Sequence, residues 1–160
     1  MTLLYLYIQV YLRMRKTAKS ITPDIIGENC FNSRLRLLNR VVSKIYNDAL
    51  RPHGLTASQL NILVLIARRT QVSPADVCNR LKMDISTLSR NVDRMKAQGW
   101  IIVETDPDDA RAHSLRLSAQ GRRLIEKSSP AWEEAQAKVE DLIGHNGVIA
   151  LVKAAEKIRA

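Results

Sequence analysis

The sequence predicts a mainly α fold with a small β-hairpin wing, an α+β winged helix-turn-helix. Three observations predict it. Apolar residues recur at steps of three and four through most of the 160 residues, and residues suited to cap helices stand where these stretches begin. One short β-branched run, Trp100-Ile101-Ile102-Val103, is followed by a turn cluster and then by strict alternation. The order of these stretches is helix, short helix, tight turn, longer helix, hairpin.

Thr22-Pro23-Asp24 reads as a helix start, and Leu35, Leu38, Val42, Ile45 and Ala49 carry one amphipathic helix to Leu50. Pro52, His53 and Gly54 stop it. Thr56 and Gln59 form a capping-box pattern: the hydroxyl can accept from the Gln59 N–H while the Gln59 side chain reaches back. The helix they open runs to about Arg68, with Leu60, Leu63, Val64 and Ala67 on its apolar side. Ser73-Pro74 repeats the start signal for a short helix ending near Leu81 or Lys82. Asp84 then caps a helix that runs to Gln98 and stops at Gly99. Asp106-Pro107-Asp108-Asp109 is a turn cluster, and Leu115 and Leu117 alternate with Ser114, Arg116 and Ser118. Helical pattern resumes after Ser118, with a kink expected at Pro130, a break across Gly144 to Gly147, and a last helix over Val148 to Ile158.

Composition narrows the function. A chain that is 46% hydrophobic and 26% charged is neither disordered nor low-complexity, and it needs no metal or disulfide to fold. The net charge of +9 attracts polyanions, nucleic acid first and acidic membrane surface second. Residues 124–160 carry five Lys/Arg against six Asp/Glu, so the last stretch is an improbable place for a polyanion. Cys30 and Cys78 form no CxxC and no zinc spacing, which points to a reducing, cytoplasmic setting without a metal or other cofactor. His53, His113 and His145 are scattered, and there is no phosphate loop or nucleophile elbow, so no enzyme is expected. The apolar run Leu3 to Leu12 is too short to span a bilayer, and its basic residues follow it rather than precede it. Three readings of it stay open: an extra packed element, a start at Met14, or a membrane-surface contact. No stable membrane association is expected.

The 84–98 helix carries the functional argument. At 100° per residue Ile85, Leu88, Val92 and Met95 form one core stripe, leaving Ser86, Thr87, Arg90, Asp93, Arg94 and Ala97 on the opposite side. A helix fits the major groove of B-DNA, Arg can donate two bonds to guanine, and Ser or Thr can bond a base or a phosphate. Arg111, at the hairpin tip, can enter a narrow minor groove, braced by Asp109. The plainer alternatives are a solvated charged face for Arg90 and Arg94, and a loop ion pair with Asp106, Asp108 or Asp109 for Arg111. A winged-helix module that binds protein or membrane instead of DNA would not need this set of arginines.

These residues give the chain a family likeness. Leu55-Thr56-x-x-Gln59, the run from Asp84 to Met95 with Gly99 following, Asp106-Pro107-x-Asp109-x-Arg111 and Leu115-x-Leu117-Ser118-x-x-Gly121 resemble the MarR family of transcriptional regulators. The likeness covers about residues 30–158. Ser118 stands where the family usually has Thr, and Met95 where Leu is usual. The resemblance implies an obligate homodimer whose N- and C-terminal helices intertwine, reading a palindromic operator in double-stranded DNA, most often as a repressor. It divides the chain into an N-terminal extension (1–22), a dimerisation helix (23–54), a winged helix-turn-helix (55–118) and C-terminal dimerisation helices (119–160). It places Ser86, Thr87, Ser89, Arg90 and Arg94 at the major groove and Arg111 in the minor groove, although Ser89 lies at the edge of the core stripe. Many such regulators release DNA on binding a small aromatic or phenolic acid. Others sense oxidants through a cysteine placed like Cys30, where Arg34 and a helix start would favour the thiolate. A small buried residue at the dimer interface is the plainer reading of Cys30.

Overall fold

The computed structural model describes residues 22–105 and 113–159. The apolar run 3–12, Met14, the turn cluster 106–109 and Arg111 lie outside the described residues. The chain divides into two compact units, Met1–Val41 and Val42–Ala160.

Within the first unit, helix α1 (Pro23–Asn29) begins as the sequence predicts, with the Thr22 hydroxyl accepting from the Ile25 N–H at 3.3 Å and Pro23 in the first turn. The expected unbroken helix to Leu50 is corrected: Cys30 has extended backbone (φ −71°, ψ 109°) and separates α1 from helix α2 (Phe31–Leu50). The Cys30 N–H still closes the last turn of α1 onto the Ile26 carbonyl at 2.9 Å, while the Asn29 side chain donates to the Ile25 carbonyl at 2.9 Å. Ile26, Phe31, Leu35 and Leu37 are exposed.

The second unit is built around helix α3 (Ala57–Ala67), which buries Leu60, Ile62, Leu63 and Ile66. Burial on more than one side explains why a single-stripe reading chose Val64, which is 38% exposed, and passed over Ile62 and Ile66. Both halves of the capping box form, Gln59 N–H to Thr56 Oγ1 at 3.2 Å and Thr56 N–H to Gln59 Oε1 at 2.9 Å. A 3-10 turn over Arg51–His53 and left-handed Gly54 lead into α3. Helix α4 (Pro74–Leu81) is capped by Ser73, whose hydroxyl accepts from the Asp76 N–H at 3.1 Å. Lys82 then turns the chain in the left-handed region, φ 50°, and helix α5 (Ile85–Ala97) follows. Leu50, Leu55, Val77, Leu88, Met95, Trp100, Ile101 and Leu115 complete one core with α3.

Strands β1 (Ile101–Thr105) and β2 (His113–Leu117) pair antiparallel, with Val103 opposite Leu115. Val72 adds an isolated bridge to Leu115, giving and receiving a backbone hydrogen bond at 3.2 and 2.8 Å. Helix α6 (Ala119–Ile143) is capped by Ser118 and is continuous through Pro130, so no helix boundary falls there. The predicted break over 144–147 shrinks to Gly144, and helix α7 (His145–Arg159) starts at once. Among the described residues no helix is long and apolar enough to cross a membrane.

The joint between α5, the hairpin and α6 is tight. The Ser118 hydroxyl donates to the Gly99 carbonyl at 2.6 Å and lies 3.0 Å from the Trp100 carbonyl, while accepting from the Gly121 N–H at 2.9 Å. A Cβ added at Gly121 would stand 2.1 Å from the Trp100 carbonyl oxygen, a backbone atom that cannot swing aside. Gly121→Ala is therefore expected to destabilise the chain by about 2–3 kcal/mol, the upper part of the range for overpacking. Denaturant unfolding monitored by circular dichroism checks this; a wild-type midpoint would show that the joint opens freely.

Candidate nucleic-acid interface

Helix α5 presents two faces. Leu88 is 1% exposed and Met95 is fully buried, while Thr87 and Val92 are half-buried. Ser86, Ser89, Arg90, Asp93 and Arg94 are exposed. Ile85 departs from the expected core stripe: it is 63% exposed, because the first residue of the helix overhangs the groove beside α4 instead of reaching the core.

Arg90 and Arg94 are one turn apart on the outward side, so their side chains project from the same face. Among the described residues neither forms an ion pair with a carboxylate, Asp93 included. Arg90 makes one long side-chain contact, Nη2 to Thr87 Oγ1 at 3.4 Å. The guanidiniums are therefore not consumed by their own helix. Asp84 occupies the N-cap position, but its side chain makes no capping bond, which corrects the expectation that it closes the helix start. The first N–H groups of α5 are left without a side-chain cap, an arrangement that suits an anion.

The hairpin stands beside this helix through Trp100 and Ile101, both buried. Its outermost described pair is Thr105 and His113, joined side chain to side chain at 3.2 Å. Nearer the base, Glu104 pairs diagonally with Arg116 at 2.9 Å. A groove of about 740 Å³ lies between the start of α4, α5 and the hairpin, with Pro74, Ile85, Ser89, Val92, Lys96 and His113 among its lining. Ser89 thus belongs to this groove, in keeping with its place at the edge of the stripe. Lys96 and His113 escaped the sequence reading. The seven-residue step from Ser89 to Lys96, two turns on one face, was the available signal for Lys96; no local pattern marks His113.

Cys30 and Cys78 are free thiols. Cys78 packs half-buried against the core. Cys30 sits half-buried between α1 and α2, and its thiol is held below the usual value. Hydrogen bonding from Ser33 is the leading cause, and the Arg34 charge emphasised above is a lesser one. Arg34 donates to the Glu28 carbonyl. Among the described residues no group of three or more His, Cys, Asp or Glu is placed to hold a metal ion.

Comparison with known proteins agrees with this arrangement. Residues 53–112 match the model of the MarR family. The multiple antibiotic resistance protein MarR of Escherichia coli (strain K12) is 27% identical over 107 residues, covering 66% of this chain and 74% of the relative. A mutant of Escherichia coli MarR complexed with operator DNA superposes with a TM-score of 0.74 at 19% identity, over 87% of this chain and all of that one. The Bordetella bronchiseptica regulator BpsR, whose DNA binding is regulated by 6-hydroxynicotinic acid, superposes with a TM-score of 0.72 at 24% identity, over 81% of this chain and 93% of that one. The segment that holds the helix-turn-helix and the hairpin thus matches the MarR family, and the chain is similar in sequence and in fold to DNA-binding transcriptional regulators of that family.

Proposed function

We propose that the chain is a repressor that binds a palindromic operator as a homodimer and is released by a small aromatic or phenolic acid or by an oxidant. The observation that carries the DNA-reading part is the outward pair Arg90 and Arg94, one turn apart and without ion-pair partners among the described residues. In this reading α5 enters the major groove. Arg90 and Arg94 read bases, Ser86 and Thr87 contact bases or phosphates near the helix start, Ser89 lies at the margin, and Arg111 enters the minor groove. A two-fold dimer presents two such helices to half-sites about one helical turn apart.

Exposed apolar side chains support dimerisation through the terminal helices. Phe31, Leu35 and Leu37 on α2, and Ile149, Leu151, Val152 and Ile158 on α7, are all exposed, more apolar surface than terminal helices usually leave in water. The effector reading is supported by the regulation of BpsR by an aromatic acid and by the 740 Å³ groove, which Lys96 of α5 and His113 of β2 help to line. The oxidant reading is supported by the lowered Cys30 thiol.

Selection of duplexes from a random DNA pool at about 0.15 M salt tests the whole reading, since nonspecific charge attraction is then screened. Enrichment of a palindrome is the expected result, and salt-sensitive binding without enrichment would sink it. Arg90→Ala is expected to cost about 1–3 kcal/mol on the selected site and far less on random duplex; an equal loss on both would make Arg90 a phosphate contact. Arg111→Ala is expected to weaken all sequences alike and to reduce the salt slope by about one, so an unchanged slope would remove Arg111 from the interface. Ser33→Ala removes the bond that lowers the Cys30 thiol, so the pH at which the thiol becomes reactive should rise. Alkylation rate against pH reads this directly, and an unmoved profile would show that Ser33 does not activate Cys30.

A further inference from the structure

We propose that Arg68, Arg69, Arg116 and Arg122 form a binding site for a small phosphorylated ligand, separate from the DNA-reading surface. They line a cavity of about 520 Å³ together with Thr70 and Leu117. That volume is within the range of small-molecule sites, about 300–1,000 Å³.

The fold assembles this cluster from three places. Arg68 and Arg69 follow α3, Arg116 lies on β2, and Arg122 lies in the opening turns of α6. The antiparallel bridge between Val72 and Leu115 draws the segment that follows α3 onto β2, and the four arginines line one cavity beside it.

Isolated surface arginines are ordinarily just solvated, and Arg68 and Arg69 are favourably placed at the C-terminal end of α3 in any case. The cluster as a whole lacks that excuse. Among the described residues the one ion pair within it is Arg116 with Glu104, so four guanidiniums face a single carboxylate. The Arg116 Nε is enclosed and stands 2.9 Å from that carboxylate without alignment for a hydrogen bond. Arg122 adds positive charge near the positive end of α6, whose first turn holds no acidic residue. Like charges gathered in a concavity favour an anion carrying two or more negative charges. Forked guanidinium donors match the several oxygens of a phosphoryl or pyrophosphoryl group. A second cavity of about 310 Å³, sharing Arg68 and adding Arg80 and Lys82, continues the positive surface beside Val64, Leu65 and Leu81. The remainder of the ligand, apolar in part, has a place there.

Position favours a free ligand over the DNA backbone. The hairpin tip precedes His113, and Arg116 lies three residues further along β2, about 10 Å at the usual strand rise. The cavity is therefore at the base of the hairpin, beside α6, away from the tip.

Calorimetric titration of the full chain with inorganic pyrophosphate, at constant ionic strength, tests the proposal. Saturable binding of one pyrophosphate per chain is expected. The double variant Arg69→Gln/Arg122→Gln should weaken it about tenfold or more, the scale of losing charge-assisted hydrogen bonds. The double variant Arg90→Gln/Arg94→Gln should leave it nearly unchanged. Arg122→Lys, which keeps the charge but loses the fork, should weaken pyrophosphate with the melting curve intact, and it serves if the double variant does not fold. Absence of saturable binding, or equal loss in both double variants, overturns the proposal. It is also overturned if the folded Arg69→Gln/Arg122→Gln variant keeps pyrophosphate but loses duplex DNA with a reduced salt slope, which would make the cluster a DNA backbone contact. None of these results depends on which operator the chain reads.

Discussion

The second unit turns on one close approach, the backbone of Gly121 against the carbonyl of Trp100. Only a residue without a Cβ lets α6 start this near the chain that leaves α5. Ser118 then fills the remaining space with its hydroxyl, which donates to the Gly99 carbonyl and accepts from the Gly121 N–H. Three elements that are distant in sequence are thereby locked without a disulfide or a metal. Left-handed Gly99, at φ 69°, supplies the reversal that directs Trp100 into the core and sets β1 running. Ser118 in place of the family's usual Thr keeps the hydroxyl on which all these bonds depend.

Elements whose causes are local were legible in the sequence. The capping box of Thr56 and Gln59, the Ser73-Pro74 start, the stop at Gly99 and the alternation around Leu115 each involve neighbours within a few residues, and each appears as predicted. Features decided by competition or by distant contact were not legible. The break at Cys30 has no glycine or proline to announce it, and extended backbone there interrupts an otherwise helical stretch. The wheel placed Ile85 in the core from its angle, but the end of a helix need not lie over what its middle covers. The bridge from Val72 to Leu115 is a long-range pairing that leaves no periodic trace.

The positive charge of the chain is organised by the fold into separate surfaces. Arg90 and Arg94 project from α5 and find no carboxylate of their own among the described residues. Arg68, Arg69, Arg116 and Arg122 gather where α3, β2 and α6 meet. Sequence position hides this division, since both sets fall within the same basic stretch of residues 55–123. Apart from Glu104 on Arg116, acidic partners lie elsewhere: Asp48 with Lys44 and Arg51, and Glu134 with Lys138, all at the surface, where such pairs add little to stability.

One residue, Ser118, separates the end of β2 from the start of α6. A longer loop would absorb rotation; a single capped residue has no slack to do so. The 25-residue helix α6 is about 37 Å long at the usual rise. Its two ends are thus far apart in space, with the hairpin fastened directly to the first of them. Val72 ties the segment entering α4 to the same strand, so the hairpin, that segment and α6 meet with little chain between them.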